Sequence, residues 1–350
     1  MGFPYKRIGS SPTSAGKDGG AFDKFDHYYA EQAGQMLQVS TPVTGSGINA
    51  TGGTITEITQ NGLTWNVHTF TGSGTFAISS IDNSSAPTDI AGKVEYLVVA
   101  GGGSGPNANG GGAGGGGAGG YRANVGQISP IPEPSGGEGS AEPAFPVSAG
   151  SYTITVGGGA AATTSTYGNT GSDSSLGPTI VSEGGGYGNC SDPGGGGPGG
   201  SGGGGGEFSG PVASAGSGAT GQGFNGGTGT SSGTNAGAGG GGAGALGGNG
   251  DSTNGSTAAR AGGIGRESII DGTATYRAGG GGASGNSRAG GNGGLGGGGG
   301  AGAGASGSDS PNGYAAGEAN TGGGGGGRYV SPTESFGGGS GVVIIRYALS

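Results

Sequence analysis

Six consecutive glycines, Gly322 to Gly327, stand shortly before the apolar stretch GVVIIRY, and similar clusters recur around residues 110–120, 194–206, 238–242, 279–282 and 296–300. Glycine loses more backbone entropy on ordering than any other residue and brings no side chain to bury. With 105 glycines in 350 residues and a hydrophobic content of 29%, an apolar core can serve only part of this chain. The rest is either disordered or held by its main chain. Charged residues make up only 9%, whereas solvated disordered chains are usually rich in charge. Collagen demands glycine at every third position, a register that GGGGAGG breaks. Silk-like alternation occurs only in patches such as AGAGA near Gly302.

A main-chain solution exists. An extended helix with three residues per turn and a rise of about 3.1 Å has no internal hydrogen bonds, so its N–H and C=O groups point outward. If the residues are glycine, neighbouring helices can approach until these groups pair between them. The clusters are therefore expected to form a bundle of polyglycine II helices running up and down. Bulkier residues should collect in turns or outside: YGNCSDP at 187–193, EFSGPVA at 207–213, ESIIDGTATYR at 267–277 and SDSPNGY at 308–314 all fall between glycine clusters.

Outside those clusters the pattern is β. TITEITQ, LTWNVHTFT and TFAISSI alternate with period two, placing Leu63, Trp65 and Val67 on one face and Thr64, Asn66 and His68 on a polar one, with Asn61-Gly62 as a hairpin signal. KVEYLVVA, SYTITV, PTIVS and the terminal GVVIIRY read as further strands, the last pairing near VEYLVVA. The expected fold is all-β and irregular: an attachment arm over residues 1–45, a small antiparallel β domain over 46–100, and a glycine-rich polyglycine II domain over 101–350 closed by a strand at 341–347. The arm carries the aromatics Phe22, Phe25, Tyr28 and Tyr29. It cannot bury them alone and should pack on another chain or on its own downstream domain.

The net charge of −9 argues against a phosphate-backbone partner. All four lysines (Lys6, Lys17, Lys24, Lys93) precede residue 100, so no polybasic membrane footprint exists. MGFPYKRIGSSPTS has no apolar signal region and no stretch reaches the roughly 20 apolar residues of a membrane span, so a soluble product without membrane insertion is expected. A single cysteine, Cys190, excludes an intramolecular disulfide and a cysteine-based zinc site within one chain. His27 and His68 lie near no nucleophile pattern, and no Walker sequence occurs. GGNGDS at 247–252 misses the calcium-binding nonapeptide register. No cofactor and no metal are expected. A glycosidase needs paired carboxylates, for which Asp271 with Glu267 and Asp173 with Glu183 are the candidates; the expectation is that the chain is not an enzyme.

Tyr187, Phe208, Phe224, Tyr276 and Tyr314 offer flat apolar faces, and Asn189, Asp192, Asp271, Arg277 and Asn312 offer planar hydrogen-bonding groups, as a sugar ring or an outer-membrane protein loop requires. The alternative is that these aromatics only cover the bundle. HTFTGSGTFAIS (68–79), VEYLVVAGGG (94–103), GGGGAGGYR (114–122), AGSYTITVGGG (149–159) and NTGGGGGG (320–327) followed by GGSGVVIIRY (338–347) occur in this order. Through them the chain resembles the glycine-rich domain proteins of bacteriophage tail fibres. It is also similar in architecture to the fibre-tip adhesins of certain myophages. The resemblance implies a virion protein that recognises a host surface glycan or outer-membrane protein through loops between glycine strands. Other virion proteins would dock on the N-terminal arm, and a homo-oligomer, commonly a trimer in fibres, is implied. A capsid or tail decoration with a structural role is the second reading, and a capsule depolymerase the third.

Overall fold

A computed structural model describes residues 47–60, 62–82, 91–108, 111–125, 135–140, 142–190, 194–207, 212–230, 236–250, 260–285, 290–300, 315–329 and 334–349. Residues 43–350 form one compact unit. The expected arm, with Phe22, Phe25, Tyr28 and Tyr29, lies outside the described residues. These are all-β, without an α-helix, and every ladder is antiparallel.

Strands β1 (Ile48–Thr51), β4 (Gly74–Ile81), β8 (Gly150–Thr155), β9 (Ser174–Leu176) and β10 (Ile180–Ser182) make one sheet in the order β1-β4-β8-β9-β10. The other has the order β2-β3-β13-β5-β6, from β2 (Thr54–Gln60), β3 (Leu63–Phe70), β13 (Val342–Ala348), β5 (Lys93–Val99) and β6 (Tyr121–Asn124), with β7 (Phe145–Pro146) also on β5. TFAISSI thus leaves its sequence neighbour LTWNVHTFT for the opposite sheet. The terminal GVVIIRY lies between β3 and β5, with Arg346 opposite Glu95 and Val67.

The two sheets bury one core between them, in which Phe76, Ile78, Ile154 and Leu176 meet Tyr96, Val98, Val343 and Ile345. The second sheet is buried on its other face too: Leu63, Trp65, Val67, Leu97, Val99 and Ile344 pack against Ala118, Ala243, Ala278 and Ile270 of the glycine-rich region. This double burial is why KVEYLVV is apolar at successive positions. Burying each such Leu, Ile or Val stabilises the fold by about 1.5–3 kcal/mol. Between the sheets also lies His68, expected on a polar face. Its ring is fully buried, edge-on to Phe76, with Nδ1 2.8 Å from the Gly52 carbonyl and Nε2 3.3 Å from the Tyr347 hydroxyl. Burial holds its pKa below the ordinary value, against the raising effect of the Gly52 bond. A polar residue in an alternating strand reads as solvent-facing until the second sheet is known to cover that face.

Two polar clusters fasten the sheets. The Arg346 guanidinium, fully buried, donates to Glu95 Oε2 at 2.7 Å, to Gln60 Oε1 at 2.6 Å and to the Ile270 carbonyl at 3.1 Å, and lies 4.4 Å over the Trp65 ring. Such a charge is tolerated because its donors and its partner's acceptors are met. Glu142 accepts from Arg122 Nε at 2.8 Å, from the Tyr96 hydroxyl at 2.9 Å and from Ser135 Oγ at 3.0 Å. Burial works to raise the Glu142 pKa, but the bonds from Arg122 and Tyr96 and the Arg122 charge hold it below the ordinary value.

The glycine-rich region is a lattice built around the run 112–120. Donors at 114, 117 and 120 reach the carbonyls of Asn189, Gly186 and Glu183; those at 115 and 118 reach Ala238 and Gly241; those at 116 and 119 reach Gly325 and Gly322. The partner thus changes at every residue and repeats at every third, as a three-residue screw requires. Carbonyls at 112, 115 and 118 accept from Glu207, Gly204 and Ser201; those at 113 and 116 from Ser284 and Gly281; those at 117 and 120 from Gly103 and Ala100. Three runs accept from its N–H groups and three donate to its carbonyls, so six neighbours enclose it. A Cβ on Gly116 would lie 2.2 Å from the Gly103 oxygen, so nothing larger than glycine fits. Gly322–Gly327 are buried members of the same lattice, bonded to Gly103, Gly116, Gly279 and Gly282.

Candidate functional site

The two ends of the bundle differ. At one end the runs pass into the sheets: Ala100 follows β5, Gly120 precedes β6 and Gly341 precedes β13. Here the connections are tight, as at 220–222, 295–297 and 319–322. A hairpin of β11 (Arg266–Ser268) and β12 (Thr275–Arg277) also closes this end, its Ile270 seated in the core with Trp65. At the remote end stand Ala108, Cys190, Glu207, Thr230, Gly250, Gly285, Gly300 and Tyr329.

Isolated bridges tie that remote end: Asn107 with Arg328, Gly112 with Glu207, Tyr167 with Asn189, and Ala236 with Gly285. Tyr167, 41% exposed, meets Tyr187 edge-on at 6.1 Å. The Tyr187 ring lies flat on the chain at Gly197, where an added Cβ would come within 2.4 Å of it. The Arg328 guanidinium stands 5.7 Å over the Phe336 ring. Asn107, Asn189, Glu207 and Arg260 are buried at this end. The Cys190 thiol is also buried, directed at the Thr166 carbonyl 3.2 Å away, and burial pushes its pKa up to about 12. The remote end is therefore a rigid platform with an aromatic rim and a polar interior.

The candidate residues divide between the ends. Tyr187 and Asn189 belong to the remote end, although Asn189 is fully buried and supports it from within. Asp192, Phe208, Asn312 and Tyr314 lie outside the described residues. Phe224 is at the sheet end: Gly202 N–H donates to its carbonyl, and its neighbour Gln222 accepts from Tyr121 of β6. Asp271, Tyr276 and Arg277 are on the hairpin. Asp271 Oδ2 accepts from buried Arg277 at 2.7 Å and Oδ1 from Thr273 N, which locks the hairpin turn, and Tyr276 is exposed. These four cannot share a site with Tyr187. Of the other carboxylates considered, Asp173 accepts from Gly184 N at 2.8 Å and Glu183 from Gln222 Nε2 at 3.4 Å. Among the described residues, no cluster of three or more His, Cys, Asp or Glu gathers to hold a metal. Tyr167, Arg328 and Phe336 were not among the sequence's binding candidates because they are single residues beside glycine runs, and only the lattice brings them to one end.

The class defined by this architecture is an all-β protein whose larger part is a main-chain-bonded glycine bundle. Residues 79–348 match the glycine-rich domain family, and the chain belongs to it. No curated protein matches the chain.

Proposed function

We propose that this is a virion structural protein, a phage tail fibre or fibre tip that binds the host cell surface with the end of the bundle remote from the sheets. The observation that carries this reading is the asymmetry of the bundle. Its sheet end is closed by strands and tight turns, whereas the remote end presents a main-chain-bonded base rimmed by Tyr167, Tyr187, Arg328 and Phe336. Recognition on loops held by a stiff scaffold is a common arrangement, because the loop sequence is free to vary while the base stays fixed. Aromatic faces beside amide and guanidinium groups suit sugars and protein loops alike.

The test uses the purified full chain on susceptible cells. Binding that competes with phage adsorption and weakens in Tyr167→Ala supports the reading. Failure to bind or compete overturns it. Labelled protein at symmetric positions on particle heads would instead support a structural decoration.

A further inference from the structure

We infer that the outer face of the first sheet carries a second binding site, a shallow basin at β8 and β9 that takes an uncharged sugar. None of the strands of this sheet contains a charged residue: they read INAT, GTFAISSI, GSYTIT, SSL and IVS. Their inward residues fill the core, and their outward residues are Asn49, Thr51, Thr75, Ala77, Ser79, Ser151, Thr153, Thr155, Ser175 and Val181. In register, Thr75 stands opposite Thr153 and Thr155 opposite Ser175. The face is thus an array in which hydroxyls predominate, with Ala77 opposite Ser151 and Val181 opposite Ser175.

The array is notched in one place. The β8–β9 ladder covers only Ile154 and Thr155, so β8 continues past it through Thr153, Tyr152 and Ser151. The Thr153 carbonyl accepts from Gly177 N at 2.9 Å, which fixes the side to which its main-chain groups point. In an antiparallel strand the residue two positions away points the same way, so the N–H and C=O of Ser151 face the notch, outside the ladder. The cavity there measures about 510 Å³ and is lined by Ser151, Tyr152, Thr153, Ser175, Gly177 and Pro178. That lies within the roughly 300–1,000 Å³ of small-molecule sites.

The chemistry selects the occupant. Serine and threonine hydroxyls both donate and accept, as do a sugar's, and the main-chain pair of Ser151 adds one of each. Pro178 adds apolar surface for the ring's C–H face, while Tyr152 lines the basin from a strand position whose ring packs inward on Phe76 and Phe145. The lining has no cation, so an anionic sugar gains nothing here. A peptide adding as a strand also needs an open edge, but this one is only three residues long and is stopped by the Gly177-Pro178 turn, where proline offers no N–H. The basin is at the sheet end, so the inference is independent of the role proposed for the remote end.

Saturation-transfer NMR on the full chain tests it. The probes are linear neutral trisaccharides of glucose, galactose and mannose, an oligogalacturonate, and an unstructured Ser/Gly peptide. At least one neutral trisaccharide should receive saturation, and the other two probes should not. Thr153→Lys, or Ser175→Tyr should the lysine variant fail to fold, should weaken that binding about tenfold or more, the effect of losing one or two buried hydrogen bonds. Tyr167→Ala should leave it unchanged. The inference is overturned if no neutral sugar binds, if the oligogalacturonate or peptide binds as well, or if the basin variants bind like the original protein.

Discussion

Replacing Gly324 by alanine introduces one methyl group at a place where the lattice has no room for it. The new Cβ would lie 2.1 Å from the Gly116 oxygen, 1.3 Å inside the 3.4 Å at which ordinary contact begins. That oxygen accepts from Gly281 N at 2.9 Å, and Gly116 N donates to Gly325 O at 2.8 Å. Moving the Gly324 run away from Gly116 by that distance breaks the Gly116–Gly325 bond in a buried region and leaves its N–H and C=O without partners. Each buried group left without a partner costs about 1–3 kcal/mol, so losing the two groups should cost roughly 2–6 kcal/mol. Gly158→Ala provides the control. Nothing lies within 4 Å of its added Cβ, and the unfolded chain loses freedom, so its stability should stay level or rise by about 0.4–1 kcal/mol. Urea unfolding of both variants measures the contrast. A Gly324→Ala protein as stable as Gly158→Ala would refute the packed lattice and leave Gly322–Gly327 a linker.

Arg346→Met should cost about 3–5 kcal/mol by leaving Glu95 buried without its cation, and adding Glu95→Met should recover much of the loss; a double-mutant cycle in urea reads this. The depressed pKa of His68 means that the unfolded chain takes up its proton first as pH falls below about 6.5. Stability should therefore decline from there downward, and thermal melting of His68→Gln should lack that portion of the decline. Glu142, also depressed, stabilises above its ordinary value near 4.5, and that contribution disappears as pH falls through its folded pKa; Glu142→Gln should flatten the melting curve in this lower window. Cys190, buried and with its thiol pushed up to about 12, should react with a disulfide reagent at neutral pH only at the rate of unfolding.

The β-strands were legible wherever alternation met bulk: Leu63, Trp65 and Val67 occupy one face as their spacing requires, and GVVIIRY could belong only in a sheet interior. The glycine bundle was legible from what it excludes, since runs this long have no other way to bury their polar groups. What escaped was set by distance in the chain. Arg346 meets Glu95 across 251 positions, and no local pattern announces that two isolated charges will neutralise each other in a core. The hydroxyls of Thr75, Thr153 and Ser175 read as ordinary outward strand positions until the sheet order β4-β8-β9 set them side by side. The binding candidates were chosen for chemistry between glycine clusters. Such interruptions occur at both ends of an up-and-down bundle, so four of the six described candidates fell at the closed end.

The changing partners of the central run constrain how such a gene can vary in length. Deleting one residue between Gly112 and Gly120 would turn every later donor by a third of a revolution and slide it about 3.1 Å, towards the wrong neighbour. Deleting three restores each direction one turn along. Within the runs, insertions and deletions should therefore survive in multiples of three residues, while the connections between runs are free of that arithmetic.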